Sequence, residues 1–138
     1  GVCPKDAVEA ANDESNDILN CKIAEYTKAV IDGRPHFHIS LVVDVSPYCD
    51  CHAENDVAIV PDVGMFASFD PVAIDVACAD AVNTQMPAKG SILDEHIHEH
   101  DHHDHFTTVS PNTNWKSAIA HGVKIGIGSD EYELVTVK

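Results

Sequence analysis

Positive charge and long apolar runs are both scarce in this sequence, and each shortage excludes something. Eight Lys and Arg stand against 23 Asp and Glu in 138 residues, a formal net charge of −15. Nucleic acid is therefore not an expected partner, because binding it depends on Lys and Arg neutralising phosphates. An anionic membrane surface is disfavoured on the same ground. No apolar run approaches the roughly 20 residues of a bilayer span, and no basic segment leads into an apolar one as a secretory signal would. The sequence has no Gly-x-Gly-x-x-Gly and no Gly-Lys-Ser/Thr, so nucleotide binding is rejected. It has no Gly-x-Ser-x-Gly either, which leaves a serine hydrolase unsupported. No internal repeat of roughly 20 to 50 residues is present.

What is plentiful is histidine. Ten His and five Cys are present. Protonating every His would move the net charge from −15 to −5, so acid changes this chain's electrostatics strongly. An odd number of Cys without a secretory signal argues for thiols in a reducing compartment, and hence for a cytoplasmic location. The length favours one α/β domain over 1–138, with a mixed sheet, about three helices and a His-rich loop.

Periodicity places the elements. Leu19, Ile23, Tyr26 and Val30 fall at helical spacing, and Gly33 followed by Pro35 stops that helix. From His36 to Val45 the period changes to two. Phe37, Ile39, Leu41, Val43 and Val45 make the expected buried face, and His36 and His38 share the polar face toward solvent. Val57–Val60 and Val63–Ala67 read as buried strands or extended segments. Asp70 caps and Pro71 opens a helix through about Asn83, rich in small residues and carrying Cys78 as a core residue. Residues 87–113 read as a long loop. A last helix runs from Asn114 with Trp115, Ile119 and Gly122 on one face, and Tyr132–Val137 reads as a closing strand.

Three groups of residues carry metal-binding or acid–base chemistry. The turn Cys49-Asp50-Cys51-His52 offers two thiolates and an imidazole to zinc or another divalent transition metal, although the spacing is shorter than Cys-x-x-Cys and the other ligands would have to come from His36, His38 or the His-rich loop. The other reading is a pair of inert turn cysteines. The run from Asp94 to His105 contains His96, His98, His100, His102, His103 and His105 among five acids. Imidazole is the commonest ligand for such metals, yet the same run reads equally as a solvated, pH-responsive insertion. Asp62, Asp70 and Asp75 surround a Gly-containing turn and are candidate cleft acids for acid–base work or a hard cation. Asp70 is most simply explained as a helix cap.

The segment Val60-Pro61-Asp62-Val63-Gly64-Met65-Phe66-Ala67-Ser68-Phe69-Asp70-Pro71-Val72-Ala73-Ile74-Asp75 resembles domain-of-unknown-function family 362. Ser46 to Cys51 before it, Asp104-His105-Phe106, and Gly126 to Leu134 after it extend the likeness. Members are commonly labelled iron–sulfur cluster-binding proteins. Cys3-Pro4 resembles the end of a ferredoxin-like Cys run, so 1–11 reads as the remnant of such a segment. In two-cluster ferredoxins the last Cys of a run ligates the other cluster, so Cys3 alone holds none. The resemblance places any iron–sulfur cluster in the full-length protein and outside this chain.

Three functional readings follow, and none assigns a reaction. The chain is the C-terminal part of a redox-linked, iron–sulfur-associated protein, acting as scaffold or partner site for a ferredoxin-like module. Alternatively it is a Zn, Ni or Co binding module using the Cys turn and the His-rich loop, or it is purely structural.

Overall fold

The structure is a computed structural model that describes residues 16–49, 52–97 and 104–137. Its elements run α1 (Asn16–Ile31), β1 (His38–Val42), β2 (Gly64–Ser68), α2 (Pro71–Asn83), α3 (Ile92–His96), α4 (His105–Val109) and α5 (Trp115–Ile125). The result is a mixed α/β domain with five helices among the described residues. Its sheet, among the described residues, is a two-stranded antiparallel pair rather than a mixed sheet. The three helices expected from periodicity are α1, α2 and α5. The additional two, α3 and α4, are one-turn helices inside the span read as loop.

Those short helices form because their ends are capped and their apolar residues have somewhere to go. Ser91 Oγ accepts from Asp94 N, and Asp104 Oδ1 accepts from Phe106 N and Thr107 N. Leu93 is completely buried and joins Val42, Ile59, Val60 and Val82 in the core, with Phe66, Cys78 and Phe106 packed around them. Residues Val57–Val60 form no strand, but Ile59 and Val60 are buried as an extended segment, tied by Ile59 N to Val45 O at 2.8 Å. Residues 132–137 form no closing strand. Tyr132 Oη instead donates to Asp80 Oδ2 at 2.8 Å, and Leu134, Val135 and Val137 are exposed.

Asp70 organises the middle of the fold. Its Oδ1 accepts from Val72 N and Ala73 N, both at 2.9 Å, which caps α2, and Pro71 needs no partner for the N–H it lacks. Its Oδ2 accepts from Ser129 N at 2.9 Å, which pins the turn after α5 against the start of α2. That approach is so close that a Cβ on Gly128 would collide with the Asp70 carboxylate and lie 2.9 Å from Val72 Cβ. Gly126, at φ 74°, closes α5 in the left-handed conformation that glycine adopts without strain.

The strand reading is corrected in its orientation. His38 pairs with Ser68, Ser40 with Phe66 and Val42 with Gly64, and these half-buried or buried residues form one face of the sheet. Ile39 pairs with Ala67 and Leu41 with Met65 on the other face. Ile39 is 61% and Leu41 66% exposed, and Phe37 lies open against Phe69 with ring centroids 5.0 Å apart. The apolar alternation is real, but the face it marks is uncovered.

α1 shows the same inversion. Leu19, Ile23, Tyr26 and Val30 are exposed, and Ala24 is the buried residue. Hydrogen bonds tie it to α5 and its flanks: Asn20 Nδ2 donates to Asn114 O (2.8 Å) and Ser117 Oγ (3.0 Å), and Lys28 Nζ donates to Ile125 O at 2.6 Å. His121 Nε2 lies 3.0 Å from Glu25 Oε1 across the same interface.

Candidate functional site

The polar groups of the inner sheet face and of α2 gather into one region. His36 and His38, two apart at the start of β1, turn the same way, and His36 Nδ1 lies 2.9 Å from His38 Nε2. Their rings stand 5.1 Å apart at 54°. Both are half-buried, which corrects the expectation that they face open solvent. The cause is the flipped strand: the side that carries His36, His38 and Ser40 is the side toward α2.

From α2 come Asp75 and Cys78. Asp75 is exposed as a whole residue, but partial desolvation of its carboxyl beside the protein surface pushes it above its ordinary range, and the neighbouring His38 partly offsets that. Burial also raises the Cys78 thiol, a hydrogen bond with Ser40 opposes the rise, and the Asp75 charge adds to it. A thiol held in its protonated form is a weak nucleophile, so Cys78 is better suited to packing than to covalent catalysis.

Asp75 and Cys78 border a pocket of about 380 Å³. Leu41, Val42, Val82, Phe106 and Trp115 give it a mainly apolar lining, and Asn20 adds a further polar group. Trp115 Nε1 donates to Asp104 Oδ2 at 2.9 Å, which holds the indole at the pocket wall. An apolar cavity with a few polar groups at one corner is suited to a small ligand or to an inserted side chain.

The candidate acids have different surroundings. Asp62 Oδ1 accepts from Asp44 N at 2.9 Å, supporting a residue with φ of 48°. Asp70 is the cap described above. Both carboxylates are engaged by backbone N–H groups, and of the three only Asp75 borders the pocket.

Cys49 is exposed, and His52 N donates to Cys49 O at 2.9 Å, so the turn brings the two residues together. His52 Nδ1 is 3.6 Å from Glu54 Oε1, and its ring is 5.8 Å from that of Tyr48. Cys51, His98, His100, His102, His103 and Cys3 lie outside the described residues.

His105 occupies the interior. Its ring Nε2 lies 2.9 Å from Gln85 O, its backbone N donates to Asn83 Oδ1 at 2.8 Å, and its buried Nδ1 has no hydrogen-bond partner. This position is that of a residue joining α4 to the end of α2. Among the described residues, no three His, Cys, Asp or Glu side chains surround one point as a ready-made metal centre. None of the described helices is long and apolar enough to cross a membrane.

The spacing of two along a strand puts His36 and His38 on one face in the sequence as well; what it does not reveal is that this face turns toward α2 and brings the two rings into contact. No curated protein and no solved structure matches the chain. A family model described as a domain of unknown function, DUF362, matches residues 1–80, a span that holds α1, the sheet, the Cys turn and α2 through Asp75 and Cys78. By that match over more than half of its length, the chain belongs to the DUF362 family.

Proposed function

We propose that this chain is a docking scaffold in a cytoplasmic, redox-linked, iron–sulfur-associated protein, and that its partner is a ferredoxin-like module. The observation that carries the reading is the uncovered apolar side of the sheet, with Phe37, Ile39, Leu41, Met65 and Phe69 exposed together. Two strands alone are marginal in water, and covering Leu or Ile on such a face stabilises by about 1.5–3 kcal/mol per residue. A chain of net charge −15 does not attract a generally acidic partner by charge, so an apolar contact is the route open to it. Any iron–sulfur cluster belongs to the partner module.

The test is binding of an anaerobically prepared two-cluster ferredoxin-type domain, followed by calorimetry and amide exchange. Saturable binding with new protection at Ile39–Leu41, abolished by Leu41→Asp, supports the reading. Absence of binding, or binding that Leu41→Asp leaves unchanged, refutes it.

A second reading rests on the turn that joins Cys49 to His52. In it, Cys49, Cys51 and His52 hold zinc or another divalent transition metal, with the imidazoles of the His-rich run completing the shell. Elemental analysis of protein dialysed against a mild chelator decides this. Metal retained in wild type and lost in a Cys49→Ser, Cys51→Ser variant supports it; equal metal content in both removes the turn from the account.

A further inference from the structure

The geometry points to a second metal site, one that uses neither the Cys turn nor the His-rich run: a two-imidazole chelate formed by His36 and His38. The two facing atoms are Nδ1 of one ring and Nε2 of the other, 2.9 Å apart. Two neutral imidazoles meet at that distance only if one donates a proton to the other, or if both lone pairs are turned to a shared cation. Metal–nitrogen bonds are about 2.0–2.1 Å. At that length a 2.9 Å separation corresponds to a bite of roughly 90°, the angle of square-planar and octahedral centres. It is narrower than a tetrahedral zinc site requires, so the cation class is Ni(II) or Cu(II) ahead of Zn(II).

Two carboxylates stand near the pair. Asp75 of α2 lies close enough to His38 to interact with it electrostatically. Asp32 lines the cleft of about 250 Å³ that His36 borders, and His38 borders a second, larger cleft of about 690 Å³ along α1. The coordination positions left by two protein ligands are thus open to water or to a small ligand. Two cationic side chains line the first cleft, both turned to helix-end carbonyls, Lys28 Nζ to Ile125 O at 2.6 Å and Arg34 Nη1 to Val30 O at 3.2 Å, and Lys22 lines the second. The first cleft also receives the C-terminal ends of α1 and α5, whose terminal carbonyls Lys28 and Arg34 engage. His38 is in register with Ser68 at the start of β1, and the Phe37 ring between the two histidines packs at 60° to Phe69.

The experiment is titration of the chain with Ni(II) by calorimetry, in a background where His98, His100, His102 and His103 are replaced by Asn. Binding of Ni(II) is expected, weakened more than about tenfold by His36→Ala and by His38→Gln. It should be unchanged in a Cys49→Ser, His52→Asn variant. Far-UV circular dichroism of each variant separates lost ligands from lost fold. Absence of Ni(II) binding in that background overturns the proposal and leaves the pair sharing a proton. Binding that survives both His substitutions, or that disappears with Cys49 and His52, overturns it as well. The outcome is independent of the docking reading, whose test involves neither histidine.

Discussion

The surroundings of Leu93 and those of Leu41 differ as an interior differs from an interface. Leu93 is 0% exposed on a five-residue helix that periodicity alone did not reveal, enclosed by Val42, Ile59, Val60 and Val82. Leu41 lies in the clearest alternating pattern of the sequence and is 66% exposed. An apolar stripe reports that a face is to be covered; it does not report what covers it. Around Leu93 the cover comes from this chain, through the capped helices α3 and α4 that bring Leu93 and Phe106 to the core. Leu41 borders the pocket that Trp115 and Phe106 line yet stays mostly open, and along Leu19, Ile23, Tyr26 and Val30 of α1 the described part of the chain leaves the stripe exposed as well.

The comparison is broken first at its strongest point. Leu93→Ala should cost about 2–5 kcal/mol in urea unfolding, since the site has little freedom to collapse. A cost below 1 kcal/mol, roughly that of a surface change, would mean that the interior is not packed as described. Asp70→Ala should cost about 1–2 kcal/mol for the lost cap, with increased amide exchange at Ser129 as well as at Val72 and Ala73. Exchange confined to α2 would sever the proposed link to the turn after α5. Leu41→Ala should cost less than about 0.5 kcal/mol in the chain by itself. A core-sized loss there would show that this face is covered within the chain.

The smallest effect is a change of slope with pH. The Asp75 carboxyl is raised in the folded state, so the folded chain binds this proton more tightly than the unfolded chain does. That contribution is fully present below the ordinary carboxylate pKa and is lost as pH rises through the raised value. Asp75→Asn should therefore be the flatter of the two in unfolding midpoint over that window. Parallel midpoint curves would place Asp75 in open water.

The parts of the fold that were legible in the sequence are those set by local chemistry. Asp70-Pro71 announces α2 because a carboxylate and a missing N–H both suit a helix start, and Gly33-Pro35 announces the end of α1 for the converse reason. The family was legible too, from the run between Val60 and Asp75 that falls within the matched residues 1–80. What was not legible depends on tertiary contact. The alternation of β1 is compatible with either face being covered, so His36 and His38 were placed in solvent although α2 lies on their side. The helices α3 and α4 are too short for a periodic signal, and only long-range packing of Leu93 and Phe106 reveals them. Of the candidate acids, the types and positions were readable, but only the backbone partners of Asp62 and Asp70 distinguish supports from a pocket residue such as Asp75.

The two methionines supply the most direct test of the docking claim. Met65, on the open sheet face, is 69% exposed, and Met86, after α2, is 79% exposed. Mild peroxide should oxidise both at similar rates in the chain alone. With a ferredoxin-type domain added to saturation, the account predicts that Met65 becomes protected and Met86 does not. Equal oxidation of the two in the presence of that domain would contradict it.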